Sequence, residues 1–294
     1  MKSEETAFGP APWANHSIGN EPHVTLEALQ AGLTVNLIAI ARADFVTCGM
    51  NERLAQVIKN NSQNQFDFLP VTEVADGGIV GLLELTSYRH SALVDRSVGE
   101  AMRPLSEENL IGADASILEF VRDADRRRCR LVVSANQISG LVTLSDLQRL
   151  PVRAALFGLV THLEILMAEV IRREFKGTWE WMKRLSEERQ QKLRNELEKA
   201  QKRDGLVDPL LFTQFADKKS ILRKSGHLKT SRERFDDELG RIRSLRDHLA
   251  HANDYAASPE AASKTCETVR LLDAWREEFL QWLQKTALVD EPLA

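Results

Sequence analysis

The sequence predicts an α+β protein of two domains, with an α/β domain first and an all-α helical bundle second. Two observations predict this fold class. The first half repeats an order of short strands and helices, whereas the second half has long stretches of helical periodicity and few strand-like alternations. The 294 residues also exceed the roughly 100–200 residues of one ordinary domain. We therefore expect an N-terminal arm at 1–25, an α/β domain at 26–150 and a bundle at 151–294.

The repeat in the first half is clearest in its two helical segments. NERLAQVIKN (51–60) and DASILEFVRD (114–123) carry the same i, i+3, i+4 apolar triplet, 63 residues apart. Each is followed by a short apolar strand and then by a second strand that starts near a glycine. The strands are expected at 66–74, from Gly81, at 129–135 and from Gly140, with extended segments before the helices around Phe45 and Val46 and around Leu110 and Ile111. Two strand–helix–strand–strand units therefore form one module.

The segment GLVTLSDL (140–147), together with this element order, resembles the tandem cystathionine-β-synthase (CBS) module. Gly140, Thr143, Asp146 and Leu147 fit the phosphosugar pattern of that family. The resemblance implies an adenine nucleotide (AMP, ADP or ATP) as a regulatory ligand. A carboxylate at a helix start can accept hydrogen bonds from two ribose hydroxyls, and the Thr143 hydroxyl supplies a neighbouring contact. We expect the nucleotide site to comprise Ile111, Arg130, Thr143 and Asp146.

Two features of this site remain open. Asp146 either holds ribose or caps the helix that follows it. The arginines of the run 126–130 either contact a ligand phosphate or form a solvated helix end. The first repeat departs from the family pattern, with Glu84 in place of the threonine and Ser87 in place of the aspartate. The second half-site alone is therefore expected to hold ribose.

The second half predicts five helices that form a bundle. They are expected at 152–175, 178–203, 208–224, 231–255 and 259–285, and the apolar stripe of the first makes it largely buried. The segment 218–234 carries seven Lys or Arg residues and a single acidic residue. It is either a solvated loop or an electrostatic footprint for a phosphate chain.

The fourth predicted helix contains Arg246, Asp247 and, five positions after the arginine, His251. This looks like the R-x4-H signature of HEPN domains, helical bundles in which many members cut RNA without a metal. The resemblance implies a homodimer in which two copies of the motif face each other across a twofold axis. His251 would take a proton from an RNA 2′-hydroxyl, and Arg246 would stabilise charge on the phosphoryl oxygens. The product would carry a 2′,3′-cyclic phosphate.

The spacing of these residues on a helix supports part of this assignment. Asp247 and His251 are four apart on one face, so the carboxylate could orient the imidazole and raise its pKa. Arg246 lies about 140° round the helix from His251, so one monomer does not bring the two into contact. Two further roles stay open. His248 either shares proton transfer or contributes to packing, and Glu164 is either an acidic partner of the site or a surface carboxylate.

Composition bounds the remaining possibilities. Apolar residues make up 43% of the chain and charged residues 28%, which excludes a disordered, collagenous or coiled-coil chain. The net charge of −4 is uneven, since residues 1–150 hold 13 Lys and Arg against 19 Asp and Glu and the remainder 26 against 24. Cys48, Cys129 and Cys266 are scattered, which favours free thiols over a disulfide framework or a zinc site. No metal is expected.

A cytoplasmic protein without a membrane span is expected. The most apolar segment, 154–171, is interrupted by His162, Glu164 and Glu169, whereas a spanning helix needs about 20 predominantly apolar residues. The first residues lack a basic region followed by an apolar core, which a secretion signal requires. The proline-containing arm 1–25 shows no periodicity, and its Trp13 is a candidate contact for a partner subunit.

These observations favour a dimeric protein in which the CBS-like pair senses an adenine nucleotide and controls a HEPN-like endoribonuclease or RNA-binding bundle, in a stress response or in defence. The alternative is a non-catalytic, adenine-nucleotide-sensing dimeric scaffold. A third reading makes the CBS-like pair purely structural, since its first half-site departs from the pattern.

Overall fold

The computed structural model describes residues 22–74, 77–88, 95–202, 208–225 and 230–290. Most of the expected arm, with Trp13, lies outside them. The strands are β1 (Ile40–Ala41), β2 (Cys48–Gly49), β3 (Phe68–Thr72), β4 (Ile79–Glu84), β5 (Arg103–Pro104), β6 (Leu110–Gly112), β7 (Cys129–Ser134) and β8 (Gln137–Thr143). The helices are α1 (Pro22–Gly32), α2 (Leu54–Asn60), α3 (Val98–Ala101), α4 (Ile117–Asp123), α5 (Leu150–Glu174), α6 (Glu187–Gln201), α7 (Phe215–Ser225), α8 (Arg232–Ala250) and α9 (Pro259–Asp290).

The described chain divides into two compact units, which confirms the predicted fold class. The α/β unit contains residues 33–153 and 256–266, and the helical unit contains the described parts of 22–32, 154–255 and 267–290. This division falls inside α5, after Arg153, and not at the residue pair 150 and 151. It also places the first turns of α9 with the α/β unit.

The two repeats of the α/β unit have matching sheets. One sheet has the order β2-β3-β4-β5 and the other β1-β8-β7-β6. In each repeat a parallel pair is followed by an antiparallel hairpin, with register shifts at the corresponding positions Val71/Thr72 and Val132/Val133. The fourth strand of each sheet comes from the segment that precedes a repeat, since β5 pairs with β4 and β1 pairs with β8.

A glycine permits each of these added strands to approach. A Cβ atom on Gly81 would lie 2.6 Å from the Arg103 carbonyl oxygen, and one on Gly140 would lie 2.6 Å from the Ile40 carbonyl oxygen. No side chain fits at either place without moving backbone. The repeated glycine in the sequence therefore marks the point where β5 or β1 crosses its hairpin.

The two repeats also share apolar packing. One buried cluster joins Ile79 and Leu82 of the first repeat to Cys129, Leu131 and Leu141 of the second. A separate cluster fills the first repeat under α2 and α3. The α/β unit is therefore one packed body built from two similar halves.

The predicted helices of the bundle form, with two interruptions. The expected helix 178–203 is a 3₁₀ helix, Trp179–Arg184, followed by α6, because the Ser186 side chain accepts from Arg189 N and starts a new helix. The expected helix 208–224 is a 3₁₀ helix, Pro209–Phe212, capped by Asp208 and followed by α7.

The helix α5 is long and apolar enough to cross a membrane by length and composition, with a mean hydropathy of 1.7 over its best window. Within that window 56% of the helix is buried inside the protein. A core helix of a bundle meets the same criterion, and the apolar stripe from Leu156 to Ile171 is buried as the sequence predicts. Arg173, at the end of this helix, donates to the Leu283 carbonyl oxygen of α9.

Replacing Phe120 by alanine tests the packing of the second repeat. The Phe120 side chain is fully buried in α4. We expect Phe120→Ala to lower the free energy of unfolding by about 3–5 kcal/mol, because it removes a buried ring and leaves a cavity. Urea denaturation measures the loss. The exposed control Val74→Ala should change the same quantity by less than about 0.5 kcal/mol, and equal losses would contradict the assigned core.

Candidate functional site

A cavity of about 440 Å³ opens in the α/β unit where the two repeats meet. Its wall has three sources: the paired strands β3 and β4, β5 with the segment that follows it, and the segment between α4 and β7 with the first residue of β7. The lining residues are Phe68, Leu82, Glu84, Arg103–Ser106, Glu108, Asn109 and Arg126–Cys129. Asn109 fixes the segment after β5, because its side chain donates to the Pro104 carbonyl oxygen and accepts from Ser106 N.

Four arginines and two glutamates give this cavity a positive wall. Arg103 Nη2 donates to Glu84 Oε2 at 2.6 Å, and Arg127 forms an ion pair with Asp123 at 3.3 Å. The ion pairs of this segment within the described residues involve Arg127 and Arg130, and neither Arg126 nor Arg128 forms one. The Glu260 pKa is lowered by hydrogen bonds from its own backbone and from Ser258 and, to a smaller extent, by the charges of Lys264 and Arg128. Arg126 and Arg128 therefore keep hydrogen-bond donors for an anionic ligand at the cavity.

Arg130, which was expected to contact the ligand, lies elsewhere. Its side chain is buried and does not line the cavity; its Nη2 donates to Asp123 Oδ1 at 2.7 Å and to the Phe120 carbonyl oxygen at 3.1 Å. The guanidinium carbon lies 5.5 Å from the centre of the Phe120 ring. Burial lowers the Arg130 pKa, and the charge of Asp123 partly offsets this effect. Successive side chains of a β-strand point to opposite faces, so Arg130 points away from the cavity that its neighbour Cys129 lines. The arginines at 126–128 precede the strand and line the cavity.

Thr143 and Asp146 form a capping box at the 3₁₀ helix Leu144–Gln148. Asp146 Oδ2 accepts from Thr143 N at 2.7 Å and from Thr143 Oγ1 at 3.1 Å, while Asp146 Oδ1 accepts from Arg149 Nε at 2.7 Å. The Asp146 residue is only 5% exposed. Of the two roles left open by the sequence, capping is the one seen, and neither residue lines the cavity.

Ile111 is buried in β6, where it pairs with Val132 of β7. It contributes packing beneath the sheet and does not line the cavity. Cys129, at the start of β7, does line it. Burial, together with the charges of Asp146 and Glu84, raises the pKa of the Cys129 thiol to about 12. The Cys129 thiol is therefore uncharged at neutral pH.

The sequence pattern missed three charged residues of the cavity, Glu84, Arg103 and Glu108. Glu84 stood out only as a departure from the CBS phosphosugar pattern. It occupies the place in the first repeat that Thr143 occupies in the second, because Glu84 pairs with Phe68 as Thr143 pairs with Cys129. Arg103 lies on the two-residue strand β5, which is too short to show periodicity.

A second polar cluster lies in the helical unit. Arg246 of α8 reaches Glu164 of α5, with 3.3 Å between Nε and Oε1. Lys218 of α7 lies 3.8 Å from the other oxygen of Glu164 and donates to the Thr213 carbonyl oxygen at 2.7 Å. Burial lowers the pKa of Lys218, partly offset by Glu164. Glu164 is thus the acidic partner of Arg246 and not an isolated surface carboxylate.

His251 is the C-terminal cap of α8 and is exposed. Asp247 lies beside Arg246, at 3.3 Å, and Arg243, at 3.8 Å, so its carboxylate is directed to arginines. The His248 ring nitrogen Nδ1 contacts the Ser244 carbonyl oxygen at 2.7 Å, one helical turn back. The arginine and the exposed histidine of the motif therefore both reach solvent near one helix end.

The basic segment 218–234 is used partly within the protein. Lys218 is buried, and Lys219 and Arg223 both form ion pairs with Asp236. Residues 226–229 lie outside the described chain. Among the described residues, no cluster of three or more metal-binding side chains occurs.

No protein-family model and no curated protein matches the chain. Its N-terminal part resembles solved CBS domains. The CBS domain of a bacterial CNNM/CorC family Mg²⁺ transporter, in complex with an inhibitor, is 19% identical to this chain. The match covers 48% of this chain and 90% of that domain, with a TM-score of 0.36. The CBS domain of such a transporter in complex with ATP is 21% identical. The match covers 42% of this chain and 89% of that domain, with a TM-score of 0.34. The CBS domains of a transcriptional regulator from Streptococcus pneumoniae are 17% identical. The match covers 38% of this chain and 94% of that structure, with a TM-score of 0.33.

Replacing Asp123 by asparagine tests the internal role of Arg130. The substitution leaves the buried guanidinium without its countercharge, so we expect a loss of about 3 kcal/mol in the free energy of unfolding. Thermal and urea denaturation measure it. Glu107→Gln, which neutralises an exposed carboxylate of the same unit that does not act on Arg130, is the control and should have little effect. Similar stability of the two variants would mean that Arg130 does not depend on Asp123.

Proposed function

We propose that the protein senses an adenine nucleotide and that the cavity between the two repeats is the binding site. The observation that carries this proposal is the pair Arg126 and Arg128, which line the cavity and form no ion pair among the described residues. Guanidinium groups bind phosphate oxygens through paired hydrogen bonds. The phosphates therefore lie at the segment before β7.

The cavity has the dimensions and chemistry that such a ligand needs. Its volume of about 440 Å³ falls within the roughly 300–1,000 Å³ of small-molecule sites. Phe68, Leu82 and Cys129 supply apolar surface for a base, beside the charged groups. The resemblance of GLVTLSDL to the CBS pattern supports adenine as the base, although Thr143 and Asp146 of that segment do not line the cavity.

Titration calorimetry with ATP, ADP and AMP tests this proposal. We expect ATP to bind, and Arg126→Ala combined with Arg128→Ala to weaken binding by tenfold or more, because each charged hydrogen bond contributes about 1.5–3 kcal/mol. Arg96→Ala removes an exposed arginine that does not line the cavity, and it should leave affinity unchanged. Absence of heat and of thermal stabilisation with all three nucleotides would refute the proposal.

A second function is favoured by the helix-end cluster: metal-independent cleavage of RNA by a homodimer. The exposed His251 would accept the 2′-hydroxyl proton as that oxygen attacks the adjacent phosphorus. The 5′ oxygen would leave with a proton from solvent, and a 2′,3′-cyclic phosphate would remain. Arg246, held by Glu164 and still about one-third exposed in its side chain, would stabilise charge on the phosphoryl oxygens.

Control of this activity by the nucleotide is part of the same proposal. The helix α5 begins at Leu150 in the α/β unit and continues without a break into the helical unit, where it carries Glu164. A nucleotide that favours one arrangement of the α/β unit could thereby influence Arg246. A role in stress response or defence fits such an enzyme. Without cleavage, a nucleotide-sensing dimeric scaffold remains.

Cleavage of a mixed RNA pool in EDTA tests the second function. We expect His251→Ala and Arg246→Ala to lower the rate at least a hundredfold, in line with the roughly 10²–10⁴-fold contribution of a general base. Arg241→Ala, on the same helix, serves as the control. Each protein is assayed with and without ATP and AMP. Equal rates for the wild type and His251→Ala would end the catalytic proposal.

A further inference from the structure

Glu84 is the carboxylate that faces the cavity from the end of a repeat hairpin. Its position corresponds to that of Thr143 in the second repeat, since each residue pairs with the first residue of the preceding strand. Its side chain is 18% exposed, and Glu84 lines the same cavity as Arg126 and Arg128. The residue that departs from the CBS pattern is therefore the one in contact with the open space.

Glu84 and Asp146 differ in the number of acceptor positions that their carboxylates have left for a ligand. A carboxylate offers about four lone-pair positions. Asp146 already accepts from Thr143 N, Thr143 Oγ1 and Arg149 Nε. Among the described residues, Glu84 accepts from two donors, one on each oxygen: Thr86 Oγ1 at 3.2 Å and Arg103 Nη2 at 2.6 Å. Glu84 thus retains one acceptor position on each oxygen, whereas Asp146 retains about one in total.

A ribose has two neighbouring hydroxyl groups, and holding both requires two acceptor positions. We propose that Glu84 binds the 2′- and 3′-hydroxyls of the nucleotide, with Arg103 fixing the orientation of the carboxylate. This assignment rests on the proposed nucleotide-binding function and deepens it. It reverses the expectation that the second repeat's Thr143 and Asp146 hold the ribose. The site then selects ribonucleotides over analogues that lack the hydroxyls.

The test compares ATP with 2′,3′-dideoxy-ATP by calorimetry. In the wild type we expect the dideoxy analogue to bind at least tenfold more weakly, because two hydrogen bonds to a charged acceptor are lost. Glu84→Met removes all acceptors at similar length, so the ratio of the two dissociation constants should fall to about one. Glu84→Gln keeps a single acceptor oxygen and should give an intermediate ratio. Loss of the Glu84–Arg103 ion pair could change the affinity for both nucleotides alike. The ratio of the two dissociation constants is not affected by such a common change.

Two controls make the result specific. Glu108→Gln neutralises the other carboxylate of the cavity, and Asp146→Asn alters the carboxylate expected from the sequence; both should keep the wild-type ratio. Tripolyphosphate, which lacks ribose, should bind all of these variants about equally and so shows that each one is folded. An unchanged ratio in Glu84→Met, or a lost ratio in Asp146→Asn, overturns the assignment.

The outcomes also separate this assignment from the function on which it rests. A wild type that binds ATP and dideoxy-ATP equally well overturns the role of Glu84 and leaves nucleotide binding in place. A wild type that binds neither nucleotide overturns both.

Discussion

The close crossing of a short strand over a glycine in each repeat is the constraint on which the α/β unit depends. Gly81 lies under the backbone of Arg103, and Gly140 lies under that of Ile40. Because the crossing strand precedes a repeat and pairs with a hairpin, it joins segments that are distant in sequence. At Gly81 it carries Arg103 and the following residues to the cavity. A side chain at Gly81 would displace this backbone and with it one wall of the proposed binding site.

The distribution of ion pairs then determines which charges can meet a ligand. Arg130 and Asp146 have the residue types expected of a nucleotide site, yet both are buried and hydrogen-bonded within their own repeat. Arg126, Arg128 and Glu84 lie at the cavity with hydrogen-bonding capacity left over. Buried polar groups need partners, so the more deeply a charged residue is packed, the less it can offer to a ligand.

Periodicity predicted the repeat, the pairs of strands and the long helices, because those features depend on local apolar spacing. It did not predict the breaks before α6 and α7. Ser186 caps α6, and Asp208 caps the 3₁₀ helix that precedes α7. The site was predicted only in part. The run 126–128 was identified as a candidate for phosphate contact, but the inward turn of Arg130 depends on the register of β7, and the arrival of Arg103 depends on pairing between distant segments. The pairing of Arg246 with Glu164 joins residues 82 positions apart, which no local pattern records.

A crystal structure of the protein with a non-hydrolysable ATP analogue would locate the nucleotide directly. We expect the ligand in the cavity between the repeats, with its phosphates on Arg126 and Arg128 and its ribose hydroxyls on Glu84. Thr143 and Asp146 should keep their capping box. A nucleotide bound against Thr143 and Asp146, with the cavity beside Glu84 unfilled, would show that this assignment of the site is wrong.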